Sequence, residues 1–369
     1  MAGSTGSSLE RQNRLRFSVG EVTGSVGDLA TALPLVVALA ALSDISLAHV
    51  LLVFGAFELL WGVVYGLPVS VEPMKALVAL GIAGSLSYPE LAAAGVVLGI
   101  VLLVLGGTGL VATIERWVGE PAVRGVQLAV ALLLLETGVG LSLDDPSIAA
   151  LGGATALVVV VLGYKRACAL TVFVLGGVIT TQLSGLPTPG LPGPPPVPDL
   201  TAGVAVSALD GALAQLAMTI GNAAIATSLL ISDLFDEEVS ADRLSRNMGV
   251  MNVLAVPAGG IPMCHGCGGV AGAHAFGART GGSNVVQGLG FVTIALFAHS
   301  AFVAEFPLPI LGVLVGIIAL ELGRNALRTT ALGVTVLVGV LGAVTNVAVG
   351  LLVGALVYQV GQRRSATDP

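Results

Sequence analysis

The chain has 369 residues, of which 55% are hydrophobic and 10% charged, and its formal net charge is -7. A mean hydropathy of +0.97 excludes a soluble globular domain, in which about a quarter of residues are charged; this is an integral membrane protein. It has no Walker motif, no basic patch for nucleic acid and, with only Cys168, Cys264 and Cys267, no disulfide framework.

Residues 1–28 do not read as a signal peptide, because the basic cluster Arg11, Arg14 and Arg16 runs straight into a polar Gly/Thr/Ser stretch. Basic residues before the first apolar run place that end in the cytoplasm, so 1–28 is expected to be a cytoplasmic tail. Apolar segments follow at 29–42 and 47–65, with Asp44 in the turn between them. A third unit starts at Pro68-Val69-Ser70-Val71-Glu72-Pro73-Met74-Lys75. It is expected to become helical at Pro73, since a proline in the first turn loses no hydrogen bond. Segments 4 to 7 are expected at 91–114, 121–141, 148–163 and 167–183. The run 186–203 is too dense in Pro and Gly to be helical and reads as an extracellular linker. Beyond it come segments at 204–231 and 248–258, a Gly-rich unit at 259–282, segments at 285–303 and 309–322, a last hairpin over 330–358, and a short cytoplasmic tail at 361–369.

On a count of about fourteen segments, Arg116, Lys165, Arg166, Arg243, Arg246, Arg279, Arg324, Arg328, Arg363 and Arg364 share one side. Asp44, Asp144, Asp145, Asp199 and Glu305 share the other. The basic side is cytoplasmic, which makes this a multi-pass protein of the cell membrane with both termini inside. An odd number of spans in each half turns the second upside down, so 29–185 and 204–360 are expected to be inverted repeats. The third unit of each half is the interrupted one, at Pro68 to Lys75 and at Pro262 to His265. Corresponding broken segments point to a transport site at the midplane. A Gly-rich helix start there carries open N–H donors and partial positive charge, which suits an anion.

Three strings carry a family resemblance: Gly27-Asp28-Leu29-Ala30-Thr31, Pro68 through Lys75-Ala76, and Pro262-Met263-Cys264-His265-Gly266-Cys267-Gly268-Gly269 with Phe276-Gly277-Ala278-Arg279-Thr280-Gly281. They resemble the molybdate transporter family, a branch related to the SulP sulfate transporters. Members more often carry Gly-Asp-Leu-Gly-Thr and Gln-Pro-Met-Lys, so Ala30 and Glu72 depart from the pattern. The resemblance implies an all-α membrane fold of about seven plus seven inverted segments, split into core and gate domains, without the cytoplasmic regulatory domain usual in SulP proteins. It places the substrate between broken half-helices in segments 3 and 10.

Molybdate, sulfate and tungstate are tetrahedral dianions that helix N-termini and neutral donors can hold. The expected contacts are Cys264, His265, Gly266, Cys267 and Gly268 on segment 10, and Ser70, Met74 and Lys75 on segment 3. Thr31 and Gln215 donate from flanking helices, although Thr31 can equally bond back to its own helix and Gln215 to another helix. Lys75 is the only basic residue expected at membrane depth, attracting the anion or pairing with Glu72 or Asp28. Glu72 is expected at the N-cap of segment 3, where it competes with the anion and can carry a co-transported proton; a paired structural carboxylate is the alternative. Asp28, Glu58 and Asp210 are further proton-coupling candidates, with Asp28 equally suited to capping a helix. His265 bonds the anion or packs in the core. Cys264-His265-x-Cys267 lacks a second ligand pair for a metal, so neither metal nor cofactor is expected.

The sequence therefore reads as a proton-coupled secondary transporter of an oxyanion, molybdate first, and not as an enzyme. A sulfate or general anion carrier or channel on the same fold is the alternative, and an intramembrane metalloenzyme the most distant one. The expected partners are the anion, the lipid bilayer and, as a candidate assembly, a second copy in a homodimer; nucleic acid is not among them.

Overall fold

The computed structural model describes residues 15–200, 205–298 and 303–367; Arg11 and Arg14 lie outside them. The first half contains α1 (Val19–Leu42), α2 (Leu47–Tyr65), α3 (Lys75–Ile82), α4 (Tyr88–Thr108), α5 (Val111–Val118), α6 (Glu120–Ser142), α7 (Pro146–Val161) and α8 (Cys168–Ser184). The second contains α9 (Val206–Phe235), α10 (Ala241–Ala255), α11 (Cys267–Ala275), α12 (Gly282–Phe297), α13 (Leu308–Ala326), α14 (Leu332–Val344) and α15 (Val347–Thr367). Of these, α1, α2, α4, α6, α9 and α13 are long and apolar enough to cross a membrane by themselves. The strands among the described residues are two short ones, β1 (Glu72–Pro73) and β2 (Met263–Cys264).

Several boundaries differ from those expected. Helix α1 begins at Val19, so residues 19–28 belong to a helix and not to a tail. Their polarity is matched by partners: Glu21 Oε1 accepts from Arg279 N, Thr280 N and Thr280 Oγ1 at 3.0–3.1 Å. Gly24 lets the α1 backbone come so close that a Cβ there would lie 2.9 Å from Ala273 O. The expected 91–114 segment is two helices, because Gly109 takes a left-handed conformation (φ 74°) and ends α4. Pro73 lies in β1 and Met74 is the N-cap of α3, so helix starts two residues later than expected. The last helix continues to Thr367, through most of the expected 361–369 tail.

The helices pack as two groups, α1–α4 with α9–α12 and α6–α8 with α13–α15. In lipid no hydrophobic force joins helices, so close backbone approach between small residues does. Reciprocal glycines mark the inverted pairing. Gly55 faces Gly288 where α2 meets α12, Gly99 faces Gly249 where α4 meets α10, and Gly138 faces Gly312 where α6 meets α13. Leu157, Val158 and Val161 of α7 and Leu332, Val336 and Val340 of α14 point outward, an apolar surface suited to acyl chains.

Candidate functional site at the crossing of the broken segments

Strands β1 and β2 pair antiparallel, Glu72 opposite Cys264 and Pro73 opposite Met263, and Met74 N donates to Pro262 O at 2.9 Å. Each strand feeds a half-helix: Met74 caps α3 and Gly266 caps α11, neither through a side-chain cap bond. Extended backbone at this depth needs partners, and the flanking helices provide them. Asn252 Oδ1 accepts from Met263 N (2.8 Å) while its Nδ2 donates to Met263 O (2.7 Å). In the other half Glu58 Oε1 accepts from Val71 N (2.8 Å), and Asn284 Nδ2 donates to Glu58 Oε2 and to Val69 O.

Over this crossing lies a cavity of about 430 Å³. One wall comes from the crossing itself: Glu72, Lys75, Cys264, Gly266, Cys267 and Gly268. A second comes from α9, where Gln215, Met218, Asn222 and Ala223 face in. The stretch Thr219–Ala226 of α9 is π-helical, a deformation often found at functional sites. A third wall comes from the other helical group, with Arg124 and Gln127 of α6 and Ile318, Glu321, Leu322 and Asn325 of α13.

The charges are arranged differently from the expectation. Glu72 is not the cap of its own half-helix; its carboxylate pairs with Lys75 and lies over the start of α11, where a Cβ on Gly266 would overlap it. Lys75 is also not the only basic group at the site, since Arg124 lines the same cavity. Gln215 Oε1 accepts from Ala76 N at 2.8 Å, occupying one first-turn donor of α3, and its Nε2 donates to Thr219 Oγ1 at 3.0 Å.

Other expected residues sit nearby without lining the cavity. Ser70 Oγ donates to Gly266 O at 3.0 Å, tying the two broken units together, and Met74 is fully buried. His265 is also fully buried, with Nδ1 3.0 Å from Ser70 O and its ring edge-on to Trp61 and Tyr65. That packing separates it from the cavity-lining cysteines. Asp28 lies against the first turn of α11, where a Cβ on Gly269 would meet its Oδ1. Glu58 is the strand clamp described above. Asp210 Oδ1 accepts from Ala348 N (2.9 Å) at the start of α15. The side chain of Thr31 lies outside the described residues. Sequence reading missed Arg124, Gln127, Asn222, Glu321 and Asn325. The only available signal was the i, i+3 and i, i+4 spacing of Glu120, Arg124 and Gln127 along one helix face.

Two inverted half-helices meeting over a cavity between two helical groups define a membrane transporter architecture. The fold is that of known anion transporters. The transmembrane domain of the cyanobacterial bicarbonate transporter BicA matches with a TM-score of 0.65 and 17% identity, covering 91% of this chain and 96% of that one. Murine Slc26a9, an anion transporter in its inward-facing state, matches with a TM-score of 0.68 and 12% identity, over 98% of this chain and 73% of that one. Sequence relatives are closer. Molybdate transporter 2 of Arabidopsis thaliana is 30% identical, over 85% of this chain and 80% of its own length. Molybdate transporter 1 of the same plant is 29% identical, over 94% and 88%. The family model described as "Molybdate transporter of MFS superfamily" matches residues 20–134 and 207–322, a stretch in each half. The chain belongs to the molybdate transporter family.

Proposed function

We propose that the protein is a proton-coupled secondary transporter that carries molybdate, in preference to sulfate, by alternating access. The observation that carries this reading is the Glu72 carboxylate lying over the start of α11 beside Lys75, where an incoming oxyanion would find an ammonium and open helix donors. Carboxylate and dianion compete for one place. Protonating Glu72 removes its charge, frees Lys75 and lets the anion in; losing the proton after the site reopens on the other side expels the anion. Loading is therefore favoured from the more acidic side. About fourteen spans in two inverted repeats, 29–185 and 204–360, with both termini in the cytoplasm of a cell-membrane protein, fit the basic residues Arg116, Arg243, Arg324 and Arg328 falling at one end. The cavity is lined by the first turns of α6 and the last turns of α13, which supports a route to that end of the molecule.

Radiolabelled molybdate uptake into proteoliposomes, with and without an inward proton gradient and with excess sulfate, tests this. Gradient-dependent uptake that resists sulfate is the expected result; uptake indifferent to the gradient removes the coupling, and equal block by sulfate removes the selectivity. A broader anion carrier is the second reading, favoured by a cavity much larger than either ion.

A further inference from the structure

The cavity is far larger than its cargo. A tetrahedral oxyanion fills the space of about two or three waters, at about 30 Å³ each, against about 430 Å³ here. The crossing occupies one wall, and the wall opposite holds a second cation whose geometry is fixed. Arg124 Nε donates to Glu120 Oε1 at 3.0 Å and its Nη1 donates to Gln127 Oε1 at 3.2 Å. Glu120 is itself anchored, its Oε2 accepting from Thr329 Oγ1 (3.1 Å), Thr330 Oγ1 (3.0 Å) and Thr330 N (3.2 Å) in the α13–α14 turn. With that carboxylate accepting from four donors, it holds the guanidinium in place without fully neutralising it, and Nη2 has no partner among the described residues. An i, i+4 pair on an exposed helix face is worth little; here the arginine of the pair lines the cavity. Arg124 and Lys75 also belong to different helical groups, so the two cations separate or approach whenever those groups shift against each other.

We propose that Arg124, oriented by Glu120 and Gln127, forms a second oxyanion station on the α6 wall, between the crossing and the cytoplasmic mouth, where the anion docks on its way out of or into the inner position. This rests on the oxyanion-transport reading above. An arginine suits the role because its planar fork meets two oxygens of a tetrahedral anion at once, while partial neutralisation by Glu120 keeps the hold weak enough for release.

The test uses full-length protein in proteoliposomes, as wild type, R124Q, R124K and E120Q, with uptake of both molybdate and sulfate measured at low and high ionic strength and thermal unfolding followed for each variant. R124Q is expected to raise KM about tenfold with Vmax within about twofold, and to flatten the salt dependence. R124K, which keeps the charge and loses the fork, is expected to raise KM about threefold, with E120Q between wild type and R124Q. An unchanged KM in R124Q overturns the proposal, as does a loss confined to Vmax that R124K does not rescue. If R124Q unfolds, R124K decides: a raised KM supports the station and an unchanged one overturns it. A wild type that carries sulfate but not molybdate refutes the selectivity above while leaving the Arg124 comparison intact, whereas a wild type that carries neither overturns both.

Discussion

In the first broken segment the groups that reach the cavity are Glu72 and Lys75, a carboxylate and an ammonium; in the second they are Cys264, Gly266, Cys267 and Gly268, which offer thiols and bare backbone. The backbones are nevertheless alike, each a two-residue strand followed by a capped half-helix and pinned from a neighbouring helix. Inverted repetition thus supplies the scaffold twice, while the chemistry is divided: one copy brings charge and the other brings the room that charge needs. The carboxylate of the first copy lies over the glycine of the second.

The harshest way to break that division is to remove the charge. Lys75→Gln should cut uptake about a hundredfold and also destabilise, because removing one partner of a buried ion pair costs about 3–5 kcal/mol. The double variant E72Q/K75Q should remain inactive yet unfold at a temperature closer to wild type; equal destabilisation of both variants would argue against the pair as the source. Next comes the room. Gly266→Ala should expel the Glu72 carboxylate and lower uptake about tenfold or more, through overpacking of about 1–3 kcal/mol. Gly268→Ala places its Cβ an ordinary 3.8 Å from Glu72 Oε1 and should cost less, so the reverse order would refute the assignment.

The scaffold itself is probed by smaller effects. Asn252→Ala strands both polar groups of Met263 and should lower stability by about 1–3 kcal/mol. Glu58→Gln keeps an acceptor for Val71 N and should cost less, as read by thermal unfolding in detergent. Smallest of all, Ser70→Ala removes the single Ser70 Oγ to Gly266 O bond and should cost about 1 kcal/mol; an effect as large as that of Asn252→Ala would mean the two broken units depend on each other more than their separate clamps indicate.

Both broken segments were legible in the sequence because Pro and Gly interrupt apolar runs at matching places in the two halves. What lay hidden depends on contacts between distant residues. Residues 19–28 read as a tail because the groups that answer the Glu21 carboxylate, Arg279 and Thr280, lie some 260 positions away. Pro73 suits a first helical turn and a strand equally, since both tolerate a missing N–H, and only pairing with Met263 decides between them. Arg124 drew no reading from the sequence, because only the packing of α6 on α13 turns that face onto the cavity. His265 was legible as a residue of the site's string, but its neighbours Trp61 and Tyr65 come from α2.

That aromatic setting has an optical consequence. The chain has two tryptophans: Trp117 is 61% exposed on α5, whereas Trp61 is 5% exposed, donates its indole N–H to Met251 Sδ and meets the imidazole of His265 edge-on. His265 immediately precedes the N-cap of α11. A Trp117→Phe protein would therefore carry one fluorophore, dry and in contact with the backbone that shapes the cavity, so that occupancy of the crossing could be followed as light from the protein itself, without a label.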